Sequence, residues 1–289
     1  MQHTDWLGKP ALGATLVAAI WGCNIVVMKV ALNDMDPLLF TAARFCFLAL
    51  VLLPFVSIST AELRPLLPIA LVMGIGHFYL LAVGISMVPG VIASVCFLLG
   101  APFSTLLSYL FLNERISLLQ TLAIVAATFG AMLPTLLLGQ NDLQWGILLV
   151  ILSTFMWAVG NIQIRKLKKL SVLSIQFGIA IITAPLSFVA YLLQANAAPM
   201  LPQFNSNTLL CLAFVVLGSS VLSYSLWYGL IHRHGMSRVA GFVLLQPFFT
   251  LTVGYLILGE TLTLWQLVGS SITLVGVSVY YQHNRPSTA

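Results

Sequence analysis

Two tryptophan–asparagine pairs lie deep inside long apolar segments of the chain. Trp21 and Asn24 are three residues apart, and Trp157 and Asn161 are four residues apart. In a helix both spacings place the two side chains on one face. An asparagine among apolar side chains needs hydrogen-bond partners, because burying an unsatisfied amide is costly. The amides could bond to neighbouring helices while the indoles fill space, or both pairs could line a cavity for a small polar molecule.

Other polar and aromatic side chains also lie in apolar segments: His77, Tyr79, Ser223, Tyr224, Trp227 and Gln246. At helical spacing, His77 shares a face with Gly74, Leu81 and Gly84, and it is either a hydrogen-bonded structural residue or a group that titrates near neutral pH. Together with the tryptophan–asparagine pairs, these residues would form an aromatic-rich cavity with few hydrogen-bonding groups, the usual composition of a small-molecule site. A zwitterionic amino acid with an apolar side chain fits such a lining.

Two cations, Lys29 and Arg44, also lie within apolar segments. Lys29 is near the end of its segment, where a lysine commonly extends its ammonium group to the interface. Arg44 is about 10 Å inside its segment at the helical rise. Arg44 could pair with carbonyls at a helix end or with the loop residues Asp34 and Asp36. Alternatively, these cations could hold the carboxylate of a ligand.

The composition identifies the solvent in which these residues must be placed. Of the 289 residues, 60% are hydrophobic and 7% are charged, and the mean hydropathy is +1.04. Soluble proteins carry about 25% charged residues, so the chain is predicted to be an integral membrane protein. A crossing needs about 20 apolar residues, and ten segments meet this need: 11–32, 37–57, 65–87, 90–112, 117–138, 144–165, 170–193, 207–230, 237–258 and 262–281.

The distribution of Lys and Arg predicts the orientation of these all-α segments. If the N-terminus is cytoplasmic, ten of the twelve Lys and Arg residues lie on the cytoplasmic side: Lys9, Arg64, Arg115, Arg165, Lys166, Lys168, Lys169, Arg233, Arg238 and Arg285. The loops on the other side carry none. This bias predicts that both termini are cytoplasmic. It also explains the net charge of +5 without nucleic-acid binding.

The two halves of the chain resemble each other, which divides it into 1–139 and 140–289. At offsets of 136 to 146 residues, the matching pairs are Trp21 with Trp157, Lys29 with Arg165, Tyr79 with Tyr224, Gly90 with Gly235, Pro102 with Pro247, Glu114 with Glu260, and Gln120 with Gln266. Five helices in each half is an odd number, so the second half is predicted to be inverted. Inverted repeats are typical of secondary transporters that bind their substrate near the midplane, although channels and some membrane enzymes also contain repeats.

Pro102 and Pro247 lie near the middle of the fourth and ninth predicted helices, at matching positions of the repeat. A proline inside a helix removes one backbone hydrogen bond and bends the helix. The pair is predicted to make either two fixed kinks or two bending points that open a cavity alternately to the two sides of the membrane.

Motifs of ATP-driven pumps and of hydrolytic enzymes are absent from the sequence. There is no GxxxxGK[ST] phosphate loop, residues 218–222 do not form a GxSxG motif, and the cysteines lack metal-ligand spacing. We therefore expect no enzyme activity, no cofactor and no metal site. All seven acidic residues lie in tails, loops or helix ends: Asp5, Asp34, Asp36, Glu62, Glu114, Asp142 and Glu260. Since proton-coupled carriers usually keep a titratable group in the membrane, we expect facilitated transport, with coupling through His77 as the alternative.

Three local patterns carry a family resemblance. The first helix contains Ile-Trp-Gly-Cys-Asn at 20–24 and Lys29, the second begins at Pro37 and contains Arg44-Phe45, and Gly-Glu-Thr-Leu at 259–262 closes the ninth. These patterns resemble the drug/metabolite transporter superfamily, in particular its ten-helix EamA-type bacterial exporters. One departure is that the first half has Asn-Glu-Arg at 113–115 where the second has Gly-Glu-Thr.

The resemblance implies export of amino acids and related metabolites across the bacterial inner membrane, by alternating access. The substrates would be a broad range of amino acids, including aromatic ones. The alternatives are purines, drugs, or metabolites of the cysteine pathway such as O-acetylserine. A channel or a membrane-embedded enzyme is the remaining alternative. Small-residue stripes on the fifth and tenth helices, at Ala123-Ala127-Gly130 and Gly269-Thr273-Gly276, could pack within one half or form a dimer, so the sequence leaves open whether the chain is a monomer or a homodimer.

Overall fold

The computed structural model of the protein describes residues 9–112, 116–138, 141–165, 167, 170–194, 205–234 and 240–283. Several residues that enter the sequence predictions lie outside these ranges: Asp5, Asn113, Glu114, Arg115, Lys166, Lys168, Lys169, Gly235, Arg238 and Arg285.

The regular elements of the described residues are all helices. In chain order they are α1 (Lys9–Leu32), α2 (Pro37–Leu52), α3 (Thr60–Met87), α4 (in two segments, Gly90–Phe97 and Gly100–Leu112), α5 (Leu118–Leu138), α6 (Asn141–Arg165), α7 (Val172–Gln194), α8 (206–234), α9 (Ala240–Leu245 as a 3-10 helix, then Gln246–Leu258 as an α-helix) and α10 (Leu264–His283).

Eight of the described helices are long and apolar enough to cross a membrane, namely α1 to α4, α6 to α8, and α10. The apolar stretches Leu118–Leu133 of α5 and Phe242–Leu258 of α9 are shorter. The prediction of a multi-pass helical membrane protein is thus confirmed with eight candidate spans. A crossing by α5 and α9 stays a prediction.

Side-chain caps explain where several helices begin. The Asp36 carboxylate accepts hydrogen bonds from the backbone N–H groups of Leu38 and Leu39 at 2.7 and 3.3 Å, and Pro37 follows it as the first residue of α2. Both features favour a helix start. Asp36 is therefore the N-cap of α2, and its carboxylate is occupied by backbone N–H groups of that helix.

The internal repeat is visible in two equivalent capping boxes. The Ser117 backbone N–H donates to Gln120 at the start of α5, and the Thr263 backbone N–H donates to Gln266 at the start of α10, at 2.8 and 2.9 Å. In return each glutamine backbone N–H donates to the hydroxyl three residues before it. Such reciprocal bonds satisfy N–H groups that a helix start would leave free. The pairing of Gln120 with Gln266 in the sequence thus reflects a shared local structure.

Two wide helical turns also recur at the repeat offset. Residues Ala70–Tyr79 of α3 and Phe214–Leu222 of α8 form π-helices. In α8 the Ser220 and Ser223 hydroxyls donate to the carbonyls of Val215 and Gly218, five residues before them, at 3.0 and 2.9 Å. These hydroxyls supply extra donors to carbonyls in a stretch where the regular α-helical pattern is interrupted. π-Helical turns are rare and frequently mark functional sites.

Both repeat-related prolines lie at the start of an α-helical segment. Pro102 is the third residue of the second segment of α4, after a break at Leu98 and Leu99, and Pro247 is the second residue of the α-helical part of α9. Both prolines thus lie near the middle of α4 and α9, as predicted, and each follows an interruption of the α-helical pattern. The physical reason is that a first-turn N–H has no intrahelical acceptor, so proline is tolerated there and the chain rearranges before it.

The packing of the helices joins the two halves of the chain. Helix α1 contacts α8 and α9, while its counterpart α6 contacts α3 and α4. Helix α2 packs against α7, and α5 packs against α10. Each of these contacts joins a helix of the first half to a helix of the second. The principal core of the molecule is therefore an interface between the halves.

The small-residue stripes of α5 and α10 explain the closest of these contacts. A Cβ atom added at Gly130 would lie 2.7 Å from the Thr273 backbone nitrogen, and one at Gly276 would lie 2.8 Å from the Ala127 backbone nitrogen. The Thr273 hydroxyl donates to the Ala127 carbonyl at 3.1 Å. The two stripes thus pack against each other within one chain, an arrangement that the sequence alternatives of packing within one half or of dimer formation did not include.

The outward faces of the helices carry large apolar side chains. On α5 these are Leu118, Leu122, Val125 and Phe129, each more than half exposed. Soluble proteins rarely expose continuous apolar faces of this kind. The surface is therefore suited to lipid, and the polar side chains described next lie inside the bundle.

Candidate functional site

Trp21 of α1 forms an aromatic cluster with two residues of α8. Its ring centroid lies 5.6 Å from that of Tyr224 and 5.3 Å from that of Trp227, with tilted ring planes. Such tilted pairs are favourable because the edge of one ring meets the face of another. The sequence predicted all three residues as site candidates, and the packing of α1 on α8 brings them together.

Trp157 of α6, the repeat counterpart of Trp21, reaches the same tyrosine. Trp157 is hydrogen-bonded to the Tyr224 hydroxyl, and its indole lies 5.7 Å from the Phe97 ring of α4. An indole nitrogen is a donor only, so the tyrosine oxygen is the acceptor. Tyr224 is therefore contacted by both repeat-related tryptophans, one from each half of the chain.

His77 of α3 is buried against α6. Its Nδ1 lies 3.0 Å from the Ser153 carbonyl and 2.9 Å from the Ser153 hydroxyl. The ring packs on Phe78 and Phe97, with centroid distances of 4.4 and 5.7 Å. These contacts give His77 a structural part in holding α3 to α6, next to the aromatic residues around Trp157.

Among the buried amide oxygens without a hydrogen-bond partner in the described residues are those of Asn24 and Gln246, two of the predicted site residues. Asn24 donates from Nδ2 to the Met28 sulfur at 3.3 Å, but its Oδ1 accepts no bond. Gln246, at the break in α9, is 1% exposed and its Oε1 also accepts none. Buried polar groups are normally satisfied. These two acceptors are therefore suited to a donor on a bound molecule.

Arg44 of α2 is 3% exposed and has only neutral partners among the described residues. Its guanidinium carbon lies 4.1 Å from the Phe78 ring centroid, in a cation–π contact. Nη2 donates to the Ser220 hydroxyl at 3.2 Å, and Nη1 is 3.8 Å from the Met28 sulfur. The Nε atom has no partner among the described residues. The expected loop partners are engaged elsewhere: Asp36 caps α2, and Asp34 accepts from Asn205 at 3.0 Å.

Lys29, in contrast, is fully paired. Its Nζ lies 2.5 Å from Oε1 of Glu260 and donates to the Val88 carbonyl at 2.7 Å. The second carboxylate oxygen of Glu260 accepts from the Gly90 backbone N–H at 2.7 Å. These contacts fasten the end of α1 to the turn after α9 and to the start of α4. Lys29 thus has an acidic partner, whereas Arg44 has none among the described residues.

The other sequence candidates lie around these groups in different ways. Ser223 is fully buried and bonds within its own helix, so its donor is already used. Asn161 is half-buried on α6, one turn after Trp157. Tyr79 is half-buried on α3.

Several residues of this region were not foreseen from the sequence: Met28, Phe78, Phe97, Ser153, Ser220 and Glu260. Most of them are ordinary core residues with no pattern to mark them. Glu260 had a signal in the repeat, since Lys29 matches Arg165 and Glu260 matches Glu114, so that each half carries one basic and one acidic residue at matching positions. Residues of opposite charge that recur in this way favour an ion pair.

Comparison with known proteins gives a consistent result. Residues 8–136 and 144–282 each match the model of the EamA-like transporter family. A probable amino-acid metabolite efflux pump of Salmonella typhimurium is 30% identical over 281 residues, covering 94% of both chains. A protein of the same name from Escherichia coli is 31% identical over 281 residues, again covering 94% of both chains.

A solved crystal structure shows the same fold. It aligns with 96% of this chain and 99% of that chain at a TM-score of 0.62, with 17% sequence identity. At this identity the likeness concerns the fold alone.

Proposed function

The chain belongs to the EamA-like transporter family, and we propose that it exports amino acids and related metabolites from the bacterial cytoplasm across the inner membrane. Family membership and the efflux-pump relatives make it a multi-pass membrane transporter for small metabolites and not an enzyme. The relatives named amino-acid metabolite efflux pumps support the substrate class.

The observation that carries the proposal is the position of Tyr224. It contacts Trp21 of the first half and Trp157 of the second. The buried amide oxygens of Asn24 on α1 and Gln246 on α9, two helices that contact each other, have no hydrogen-bond partner among the described residues. Aromatic faces with a few hydrogen-bonding groups are typical of a small-molecule site. Such a lining supports a broad range of amino acids with apolar side chains, including aromatic ones.

The proposed mechanism is alternating access between two inverted five-helix halves, 1–139 and 140–289, with all ten helices crossing and both termini cytoplasmic. The packing supports it: α1 lies on α8 and α9 as α6 lies on α3 and α4. A pseudo-two-fold axis in the membrane plane would relate these two sets of contacts. Exchange of the two arrangements would then expose the midplane site to either side.

The Lys29–Glu260 pair and the breaks in α4 and α9 are the proposed moving parts. The ion pair joins the two halves at the end of α1, which in the proposed topology is the side opposite the termini. Each α-helical segment that contains Pro102 or Pro247 is preceded by a break. At such a break a helix can bend with little loss of hydrogen bonding. Opening on that side requires the ion pair to separate.

We propose that transport is facilitated and not proton-coupled. Among the described residues of the helix interiors, no acidic side chain is available for proton transfer, since Glu260 is paired with Lys29 at a helix end. His77 is held by Ser153 through Nδ1. Carriers that use protons usually keep a free titratable group in the membrane.

The test is counterflow of labelled L-phenylalanine into proteoliposomes that contain the purified chain. Saturable uptake that is accelerated by unlabelled phenylalanine inside the vesicles, and unchanged by an imposed pH gradient, is expected. Trp157→Ala should reduce uptake at least several-fold, while Trp145→Ala, which removes a 62% exposed tryptophan from the same helix, should not. Uptake that rises linearly with concentration would show a channel, and uptake of no amino acid would refute the proposed substrate class.

A further inference from the structure

The positive charge of Arg44 is buried without a negative partner in the described part of the chain. Placing a charge in a low-dielectric interior is costly unless the charge is paired and hydrogen-bonded. A cation of this kind within a membrane protein is by default a candidate functional group. The single described ion pair is Lys29–Glu260, so this charge has been left uncompensated at the position where α2, α3 and α8 meet.

The partners that Arg44 does have are neutral and come from both halves of the chain. Phe78 belongs to α3 and Ser220 to α8, and each lies in one of the two repeat-related π-helices. The Ser220 hydroxyl is a weak acceptor compared with a carboxylate, and Nε is unbonded among the described residues. A guanidinium presents five donors in a planar fork. The fork is thus held in place on an aromatic face while much of its hydrogen-bonding capacity stays unused.

We propose that Arg44 binds the carboxylate of the transported solute, so that the substrates of this transporter are small molecules with a carboxylate and an apolar remainder. This inference rests on the proposed function, because it names the group by which an exported amino acid is recognised. A carboxylate matches the guanidinium fork with two parallel hydrogen bonds. It would take the place of the Ser220 hydroxyl and neutralise the buried charge.

The bond to Ser220 connects this recognition to the two halves. It joins α2 of the first half to α8 of the second, and it must break when these helices separate. When Arg44 loses Ser220, its one oxygen partner among the described residues, a carboxylate would stabilise its charge the most. A solute that bears a carboxylate would therefore stabilise the open site more than a solute that lacks one.

The experiment compares three probes on the purified full-length chain: L-phenylalanine, 3-phenylpropionate, which lacks the ammonium group, and phenethylamine, which lacks the carboxylate. Binding is measured by titration calorimetry and by ligand-induced shifts in thermal unfolding. The wild-type protein should bind the two carboxylates at least ten-fold more tightly than phenethylamine. Arg44→Gln should weaken carboxylate binding by about 10- to 100-fold, as expected for loss of hydrogen bonds to a charged group, and should leave phenethylamine binding unchanged.

Two further variants control this result. Arg64→Gln removes an exposed arginine at the start of α3 and should leave all three affinities unchanged. Arg44→Lys keeps the charge without the fork and should give intermediate carboxylate affinity. Equal binding of phenylalanine and phenethylamine by the wild-type protein, or an undiminished carboxylate preference in Arg44→Gln, would overturn the proposal.

If Arg44→Gln does not yield folded protein, Ser220→Ala decides the matter. Removal of the competing hydroxyl should raise the affinity for 3-phenylpropionate by roughly two- to ten-fold, the value of one neutral hydrogen bond, and a lowered affinity would overturn the proposal.

Failure of the proposed function and failure of the role of Arg44 give different results. A wild-type protein that transports no amino acid but binds 3-phenylpropionate would refute the proposed function alone. One that transports phenylalanine without any preference for a carboxylate would refute only the role of Arg44.

Discussion

The ammonium group of Lys29 lies 2.5 Å from a carboxylate oxygen of Glu260, a residue 231 positions later in the chain. The other oxygen of Glu260 accepts from the Gly90 backbone N–H, and the backbone N–H of Glu260 donates to Gly254 at 3.3 Å. Gly259 precedes Glu260 with a φ of +64°, a left-handed conformation that favours glycine. The end of α9 thus turns sharply enough to direct Glu260 back toward α1.

The first prediction concerns this ion pair. Glu260→Gln removes the negative charge but keeps the size of the side chain. It should lower the free energy of unfolding of the purified protein by about 1–3 kcal/mol, because Lys29 is then left largely buried without a counter-charge. Thermal unfolding in detergent measures the effect. Glu62→Gln is a matched control, since Glu62 is exposed and glutamine also completes a capping box.

A double-mutant cycle separates the pair from its surroundings. The combined variant Lys29→Gln/Glu260→Gln should lose less stability than the sum of the two single variants, with a coupling of about 0.5–3 kcal/mol. Strict additivity would contradict a direct interaction. Loss of the pair should also increase access of a thiol reagent to a cysteine introduced beside Gly90, if the pair closes that side of the transporter.

The second prediction concerns the contact of α5 with α10. Gly130→Val should lower stability by about 1–3 kcal/mol or more, because its side chain would overlap backbone atoms of Thr273 and Gly269. Gly229→Val is the matched control, since no atom of the described residues lies within 4 Å of a Cβ atom at that position. Thermal unfolding of the two variants measures the difference. Equal loss of stability in both would mean that the close approach of the two helices does not hold in solution.

The third prediction concerns the hydrogen bond between Trp157 and Tyr224. Trp157→Phe keeps an aromatic ring next to Phe97 but removes the indole N–H. It should raise the phenylalanine concentration at which counterflow is half-saturated by roughly two- to ten-fold, the value of one hydrogen bond. Tyr224→Phe should have a similar effect, and the double variant should add little to either. Trp145→Phe, at an exposed position of the same helix, controls for loss of an indole. Fully additive effects would contradict a shared role.

The positions of the helices could be predicted from the sequence because lipid imposes a simple rule on it. Uninterrupted apolar segments bounded by charge and proline place α6 within three residues of its observed bounds, Asn141–Arg165. The prediction was poorer for α9, whose α-helical part begins only at Gln246. Hydropathy cannot distinguish an α-helix from a 3-10 helix, since both can be equally apolar.

The sequence singled out several residues that the structure brings together, but it gave no information on their pairings. Trp21, Tyr224 and Trp227 were recognised as aromatic groups in apolar segments, yet their meeting depends on how α1 packs against α8. The partners of Arg44 could not be foreseen, because a phenylalanine and a serine carry no sign of a cation nearby. The two π-helices had no sequence signal either, since a single inserted turn depends on a tertiary balance of hydrogen bonds.

The last prediction concerns proton coupling. His77 donates or accepts through Nδ1 at Ser153 and is enclosed by Phe78 and Phe97, and proton transfer through it would require these contacts to break in each cycle. Downhill flux of phenylalanine in proteoliposomes should therefore be unaffected by an imposed pH gradient. His77→Asn, whose amide can still bond to Ser153, should keep most of this flux, with a loss of stability of about 1–3 kcal/mol from imperfect packing. Matched vesicles with and without a pH gradient, at equal substrate gradient, give the measurement. A pH-gradient stimulation in the wild-type protein that disappears in His77→Asn, while downhill flux continues, would reverse the assignment and make His77 the coupling residue.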